Sequence, residues 1–198
     1  MRRTHRGVGL FTHAVLVAIP ITIAVAVGCS SADDDGEGGA ATTDTTAVED
    51  VVVDAGDFKP LAEMTRVRGF FVDNVAGDVE GTLAVANDPE GGAYPVGTVI
   101  QLIPQEAMVK RAPGFDPDSN DWEFFTLDTT AAGTTILSQG GAEVVNRFTG
   151  SSCADCHGAA EPQFDFVCEN THGCAPLPIG DDVISAIQQG DPRPRQTA

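Results

Sequence analysis

The sequence predicts an α+β fold, in which one domain consists mainly of β-strands with a few helices. Hydrophobic residues make up 42% and charged residues 20% of the 198-residue chain, a composition typical of a globular protein. Short segments rich in β-branched and aromatic residues are separated by turns that use many of the 22 Gly and 12 Pro residues. Helical spacing of apolar residues is found at only two places, and no internal repeat is visible.

The strand-like segments are bounded by Gly, Pro, Asn or Asp, which favour turns. We expect strands over residues 51–53, 66–73, 95–104, 122–127 and 134–137. Pro104 lacks the backbone N–H that a central strand would need, so the third strand should stop there or lie at an edge.

Two short helices are expected. Residues 78–86 place Val79, Leu83 and Ala86 at helical spacing, although Gly81 weakens the pattern. Residues 182–189 form the second helix, which Asp181 should cap and Gly190 should end.

The first 28 residues are typical of an export signal, because residues 1–6 are basic and residues 8–28 are almost wholly apolar. The apolar run ends in Ala26-Val27-Gly28-Cys29, which resembles the lipobox of bacterial lipoproteins. We expect cleavage after residue 28 and lipidation of Cys29. The apolar run has two alternative interpretations. It could be a retained membrane anchor of about 20 apolar residues, or an ordinary signal after which Cys29 has no special role. All three place the domain outside the cytoplasmic membrane, on the periplasmic side or at the cell surface.

Residues 29–50 are predicted to be a flexible acidic tether, since Ser, Ala, Asp, Gly and Thr predominate there. The folded domain should span residues 51–190, with a tail over residues 191–198. Ser30 after the cysteine favours the outer membrane in an organism that has one.

The chain carries 29 acidic and 11 basic side chains, a net charge of −18. Such a surface repels nucleic acid and suits a small neutral ligand or a basic redox partner.

The strongest motif is Cys153-Ala154-Asp155-Cys156-His157, which has the C-x-x-C-H spacing of covalent haem c attachment. Two thiols three positions apart can reach both vinyl groups on one edge of the porphyrin. His157 is then placed beneath the iron as its ligand, with its second ring nitrogen bonded to a carbonyl or carboxylate. We therefore expect one covalent haem c per chain, held by Cys153, Cys156 and His157.

Three other interpretations of this motif remain open. Cys153 and Cys156 could form a disulfide, a thioredoxin-like redox pair, or half of a zinc site. A thioredoxin-like pair would follow an early strand of a βαβ unit, which this Gly-rich context does not provide. Cys168, His172 and Cys174 could supply the remaining zinc ligands.

The two remaining cysteines, Cys168 and Cys174, lie six positions apart, and in an oxidising compartment they most simply form a local disulfide. His172 lies between them and could instead reach the haem as a second axial ligand or an acid–base group. Met64 and Met108 are the other potential sixth ligands, although a methionine more often belongs to the core.

Four segments, in this order, resemble the cytochrome P-460 family, which includes the cytochromes c′-beta. They are Tyr94-Pro95-Val96-Gly97-Thr98-Val99-Ile100, Asp121-Trp122-Glu123-Phe124-Phe125, the haem motif and Asp165-Phe166-Val167. The similarity covers most of residues 66–167. The family has Phe after the final Val, whereas this chain has Cys168.

The resemblance implies a largely antiparallel β domain, often a homodimer, with His on one face of the haem and an open or gas-binding site on the other. Hydroxylamine-oxidising members also carry a lysine on the G-T-V strand that is cross-linked to the porphyrin. That position is Leu102 here, so the cross-link is expected to be absent. Neither Lys59 nor Lys110 is in register with it.

Side chains alternate between the two faces of a strand, and the family's lysine on the G-T-V strand faces the haem. Every second residue of that strand should therefore face the haem here as well. The residues expected to face the haem are Thr98, Ile100 and Leu102. Those expected to face away are Val99, Gln101 and Ile103. Ile100 and Leu102, with Phe124 or Phe125, would form an apolar pocket that favours neutral NO or CO. The alternative is that they only fill the core.

Three functions follow from these patterns. The first is an exported, membrane-tethered monohaem cytochrome that binds a small gas or transfers single electrons. The second is an oxidoreductase of the cytochrome P-460 type that oxidises hydroxylamine or NO, with Glu106 or Glu123 as the acid–base group. The third is a non-haem surface lipoprotein stabilised by a disulfide or zinc.

Overall fold

A computed structural model of the chain describes residues 48–195. The predicted signal peptide, Cys29, most of the predicted tether and residues 196–198 lie outside the described residues. Within residues 48–195, no helix is both long and apolar enough to cross a bilayer.

Within residues 48–195, six antiparallel strands form one sheet, and each strand pairs with the strand that follows it in the chain. The strands are β1 Thr65–Val67, β2 Phe70–Asn74, β3 Thr98–Gln101, β4 Glu106–Lys110, β5 Trp122–Thr130 and β6 Gly133–Gly140. The described part of the chain also has three α-helices: α1 Val79–Asn87, α2 Cys153–His157 and α3 Asp181–Gln189. The α+β class predicted from the sequence is confirmed.

The N-terminal strand predictions were partly wrong. Residues 51–53 form no strand, because Val51 and Val53 pack on the sheet as extended chain without a ladder partner. Residues 66–73 are divided between β1 and β2 by a two-residue turn, in which Arg68 has a φ of 50°. The Arg68 guanidinium holds this turn, since it donates to the Ala86 carbonyl at 2.8 Å and to Glu169 at 2.9 Å.

The central strand predicted over residues 95–104 is shorter than expected. β3 ends at Gln101, and Pro104 lies in the turn that leads to β4. The strand β4 was not predicted from the sequence. The helix prediction for residues 182–189 was nearly correct, but Asp181 does not cap α3. The N-cap is Gly180, and no side chain bonds to that helix end.

Apolar side chains cover both faces of the sheet. The face with Val72, Ile100, Met108 and Phe124 is here called the haem-motif face, because Cys153 and Ala154 of α2 pack on it. Those four residues are cross-strand partners and form one row over β2 to β5. The opposite, N-terminal face carries Phe58, Val99, Val109, Phe125 and Leu127. Burial on both faces explains why β3 and β4 show no clear polar–apolar alternation.

Buried hydroxyl and amide groups attach α1 to the sheet. Thr98 of β3 bonds to Thr82 of α1 at 2.7 Å, and the Asn74 amide donates to the same Thr82 hydroxyl at 3.1 Å. Gly97, just before Thr98, has a φ of +86°, and a Cβ there would meet Asn74 Oδ1 at 2.9 Å. The glycine of the G-T-V segment is therefore required by backbone conformation and by close packing.

The folded part extends past residue 190, where the sequence predicted a tail. Arg193 is only 6% exposed, and its guanidinium donates to the Phe58 carbonyl at 3.0 Å. It also makes a two-pronged contact with Asp191, which in turn accepts from the Leu61 N–H at 2.9 Å. This ion pair ties the C-terminal segment to the N-terminal face.

Candidate haem site

The haem motif forms the short helix α2. Ser152 caps it, since its hydroxyl accepts a hydrogen bond from the Asp155 N–H at 3.2 Å. The Cys153 N–H donates to the Val144 carbonyl at 2.9 Å, and the Gly158 N–H closes the helix on the Ala154 carbonyl at 2.7 Å. One helical turn thus places both cysteines and the histidine together, anchored to the segment after β6.

Cys153 and Cys156 are free thiols, whereas Cys168 and Cys174 are joined in a disulfide with a Cα–Cα distance of 5.7 Å. The predicted disulfide is confirmed. Cys153 is half-buried, and Cys156 is exposed. Burial, with a smaller contribution from Glu106, raises the pKa of the Cys153 thiol to about 11, so that this side chain is neutral near pH 7.

His157 is oriented by a backbone carbonyl. Its Nδ1 lies 2.9 Å from the Phe166 carbonyl oxygen, which can only accept, so Nδ1 carries the proton. Nε2 then has a free lone pair, the form that ligates iron. Burial lowers the pKa of the imidazole, which the Phe166 contact only partly offsets, and this favours the neutral ring. The Phe124 ring lies 5.2 Å from the His157 ring, centroid to centroid.

The carbonyl that holds His157 comes from an unusual piece of backbone. Asp165 and Phe166 have φ values of 50° and 64°, so two consecutive residues other than glycine adopt the left-handed region. The Trp122 indole N–H donates to the Asp165 carbonyl at 2.7 Å, and the Val167 N–H donates to the Phe164 carbonyl at 2.9 Å. These bonds fix the turn from both sides.

The Asp165 carboxylate is 4% exposed and accepts three hydrogen bonds. Its Oδ1 accepts from Lys110 Nζ at 2.7 Å and from the Asn120 amide at 2.5 Å, and its Oδ2 accepts from the Tyr94 N–H at 2.7 Å. The Lys110 ammonium also donates to the Asn120 carbonyl at 2.8 Å and lies over the Trp122 ring. Through its carboxylate and its backbone carbonyl, Asp165 therefore connects its own segment to the segments that contain Tyr94 and Trp122.

The apolar residues expected to face the haem lie on the haem-motif face. Ile100, Leu102 and Phe124 share one apolar cluster with Cys153, and Thr98 points to the same side through its bond to Thr82. Val99 and Phe125 belong to the opposite cluster. Gln101 also points to that side, where Arg193 approaches its side chain at 3.5 Å.

The structure separates the two carboxylates considered as acid–base groups. Glu106 stands two positions before Met108 on β4, so both side chains lie on the haem-motif face. Its side chain accepts from the Asn146 amide, and burial raises the pKa of its carboxyl group. Glu123 lies on the N-terminal face in an ion pair with Arg111.

The other side chains considered as haem ligands or cross-links lie elsewhere or have partners. Lys59 pairs with Asp73 on the N-terminal face, and Met64 packs against the apolar cluster of that face. Met108 is in the row beside Phe124. His172 stacks on the Phe164 ring at 3.7 Å, and its Nδ1 contacts the Val167 carbonyl at 2.8 Å.

Two further observations concern other kinds of site. Among residues 48–195, no three or more His, Cys, Asp or Glu side chains form a group that could hold a metal ion. A cleft of about 530 Å³ lies near β2 and α3 and includes no residue of the haem motif. Three basic side chains line this cleft: Arg66, Arg193 and Arg195.

The contacts of Asp165 and Phe166 could not be predicted from the sequence. Asp165 was recognised only as part of a segment, because a left-handed pair of residues has no sequence signal when neither is glycine. Lys110 was considered only as a cross-linking lysine, and the structure instead pairs its ammonium group with Asp165.

Comparison of the chain with protein-family models, with curated proteins and with solved structures finds no match. The donor set at α2 fits a c-type haem, because two free thiols and an imidazole with an available Nε2 lie on one helical turn.

Proposed function

We propose that this protein is an exported, membrane-tethered cytochrome of the cytochrome P-460 type, with one covalent haem c, that binds a small gas such as NO or CO or transfers single electrons. The observation that carries the proposal is the His157–Phe166 hydrogen bond of 2.9 Å beside two free thiols. It leaves Nε2 as the coordinating nitrogen, as a haem ligand requires.

Three residues of α2, Cys153, Cys156 and His157, have a defined part in this proposal. The Cys153 and Cys156 thiols each add across one vinyl group, so that sulfur bonds to one carbon, the thiol proton goes to the other, and no oxidant is needed. His157 donates its Nε2 lone pair to the iron. The bound haem supplies an iron that changes oxidation state and can bind a diatomic ligand.

The neighbouring side chains favour an uncharged ligand. Ile100, Leu102 and Phe124 offer no hydrogen-bond donor to a bound anion or superoxide. Leu102 stands where the cross-linking lysine is expected, and the amine of Lys110 is bonded to Asp165 and Asn120. These contacts support a haem without a lysine cross-link.

A second candidate is oxidation of hydroxylamine or NO, and one observation favours it. Glu106 lies on the haem-motif face close enough to Cys153 to influence its pKa, and burial raises the pKa of Glu106 itself, so that this carboxyl group holds a proton more tightly than an ordinary glutamate. Glu106 would accept or return the proton of a nitrogen substrate. The third candidate is a non-haem surface lipoprotein stabilised by a disulfide or zinc. The Cys168–Cys174 disulfide uses two of the potential zinc ligands, so only the disulfide form of this candidate remains.

Haem staining of the denatured, purified protein tests the proposal. A stained band that disappears in the double variant Cys153→Ala/Cys156→Ala is expected, while Cys168→Ser/Cys174→Ser should retain the stain. An unstained native protein would contradict both haem functions. The spectrum of the reduced protein with and without NO, together with hydroxylamine turnover, then separates them. Steady turnover with a red-shifted ferrous band would favour the enzyme.

A further inference from the structure

The orientation of His157 depends on backbone that is unfavourable by itself. Asp165 and Phe166 both adopt positive φ, and a bulky side chain such as Phe is uncommon there. Such a conformation persists only when surrounding contacts hold it. The Phe166 carbonyl, which accepts from His157 Nδ1, is part of this pair.

The contacts that hold the pair converge on the Asp165 side chain. Lys110 from β4, Asn120 from the turn before β5, and the Tyr94 N–H each donate to it. A buried carboxylate with a paired ammonium group is rigidly placed, because any displacement leaves a charge without a partner. The Asp165 carboxylate is therefore held by β4 and by the chain before β3 and before β5, in addition to the backbone bonds within its own segment.

We infer that Asp165 is a positioning residue for His157: its buried carboxylate fixes the turn whose Phe166 carbonyl orients the imidazole and strengthens Nε2 as a donor. This inference rests on the proposed function for its effect on iron, and on the observed hydrogen bonds for its effect on the ring. A hydrogen bond from Nδ1 raises the basicity of the ligating nitrogen. Weakening the hydrogen bond from His157 Nδ1 to the Phe166 carbonyl should therefore raise the reduction potential of the haem.

Asp165→Asn tests this inference with little change of shape, since Asn also tolerates left-handed backbone. Glu123→Gln is a matched control. Glu123 is likewise 4% exposed and paired with a cation from the end of β4, but it lies on the opposite face of the sheet. Both substitutions remove one buried carboxylate charge, so a general loss of stability affects both.

In the haem-loaded full chain, Asp165→Asn should shift the midpoint potential upward and the iron–histidine stretching band to lower frequency. Glu123→Gln should leave both at the wild-type values. Lys110→Met should shift both in the same direction as Asp165→Asn. Equal shifts in Asp165→Asn and Glu123→Gln, or no shift in a folded Asp165→Asn protein, would overturn the inference.

A second measurement separates failure of this inference from failure of the proposed function. If the protein carries no haem, nitrogen-15 spectra of the His157 ring still report its tautomer. Wild type and Glu123→Gln should show a protonated Nδ1, and Asp165→Asn should show a mixture of tautomers. An unchanged tautomer in Asp165→Asn would contradict the positioning role whether or not haem is present.

Discussion

Glu106 and Glu123 lie on opposite faces of the same pair of antiparallel strands. Burial raises the pKa of both carboxyl groups, but Glu106 lies on the haem-motif face, whereas Glu123 pairs with Arg111 on the N-terminal face. The two carboxylates were equivalent candidates in the sequence. The pairing of Met108 with Phe124, and of Val109 with Glu123, assigns each to its face.

Glu106 should make stability depend on pH above the ordinary glutamate pKa of 4.5. Since its pKa is raised in the folded state, the folded protein binds the proton more tightly than the unfolded chain. Its contribution to stability is therefore present at low pH and falls as pH rises through the raised pKa. Urea denaturation should show that Glu106→Gln gains stability relative to wild type as pH rises above 4.5. A difference independent of pH would contradict this assignment.

Asp191→Asn should destabilise the protein by about 3 kcal/mol at pH 7, because it leaves the buried Arg193 guanidinium without its partner. Burial alone would raise the Asp191 pKa, but Arg193 and the Leu61 N–H lower it below 3.8. The stabilisation is thus present above that value and is lost as pH falls through the lowered pKa. Equilibrium unfolding over a pH series that starts at pH 7 and continues well below 3.8 should show the difference shrinking once pH falls through the lowered pKa. A constant difference would refute the ion-pair explanation.

Removal of the disulfide should cost about 2 kcal/mol, as expected for a short closed loop. The Cys168→Ser/Cys174→Ser variant should unfold at lower denaturant concentration than wild type. Reductant should lower the midpoint of wild type and leave that of the variant unchanged. Equal midpoints for the two proteins without reductant would show that the disulfide does not contribute.

Gly97→Ala should lower stability by about 2 kcal/mol, because Ala is strained at a φ of +86° and its Cβ would meet Asn74. Gly114→Ala is a useful comparison. It has a similar φ of +94°, but a Cβ there meets nothing within 4 Å. Thermal unfolding should therefore show a larger loss for Gly97→Ala, and equal losses would exclude a contribution from close packing.

Lipidation is predicted at Cys29, which lies outside the described residues. Metabolic labelling with palmitate should mark the wild-type protein and be lost in Cys29→Ala. Cys168→Ser/Cys174→Ser serves as the control and should keep the label. Label retained in Cys29→Ala would disprove lipidation at this residue.

The sequence predicted the fold class and the approximate positions of β5, β6, α1 and α3, because turn residues and apolar spacing mark them locally. It missed β4, since the segment Glu106–Lys110 is short and is buried on both faces. It also merged β1 with β2, because a turn that starts at Arg68 depends on the distant Glu169. At the site, the spacing of the haem motif was visible, but the hydrogen bonds of Asp165 join residues up to 71 positions apart.

The order of the strands in the sheet also bears on how the protein is made. Because every strand pairs with its neighbour in the chain, the sheet can form by adding one strand after another, and the longest connection is the one from β2 to β3, which contains α1. The haem motif follows all six strands in sequence. A chain delivered from its N-terminus would thus have its whole sheet across the membrane before Cys153 and Cys156 emerge. We expect Cys153 and Cys156 to emerge when the sheet before them is already partly assembled, and not while the whole chain is unfolded.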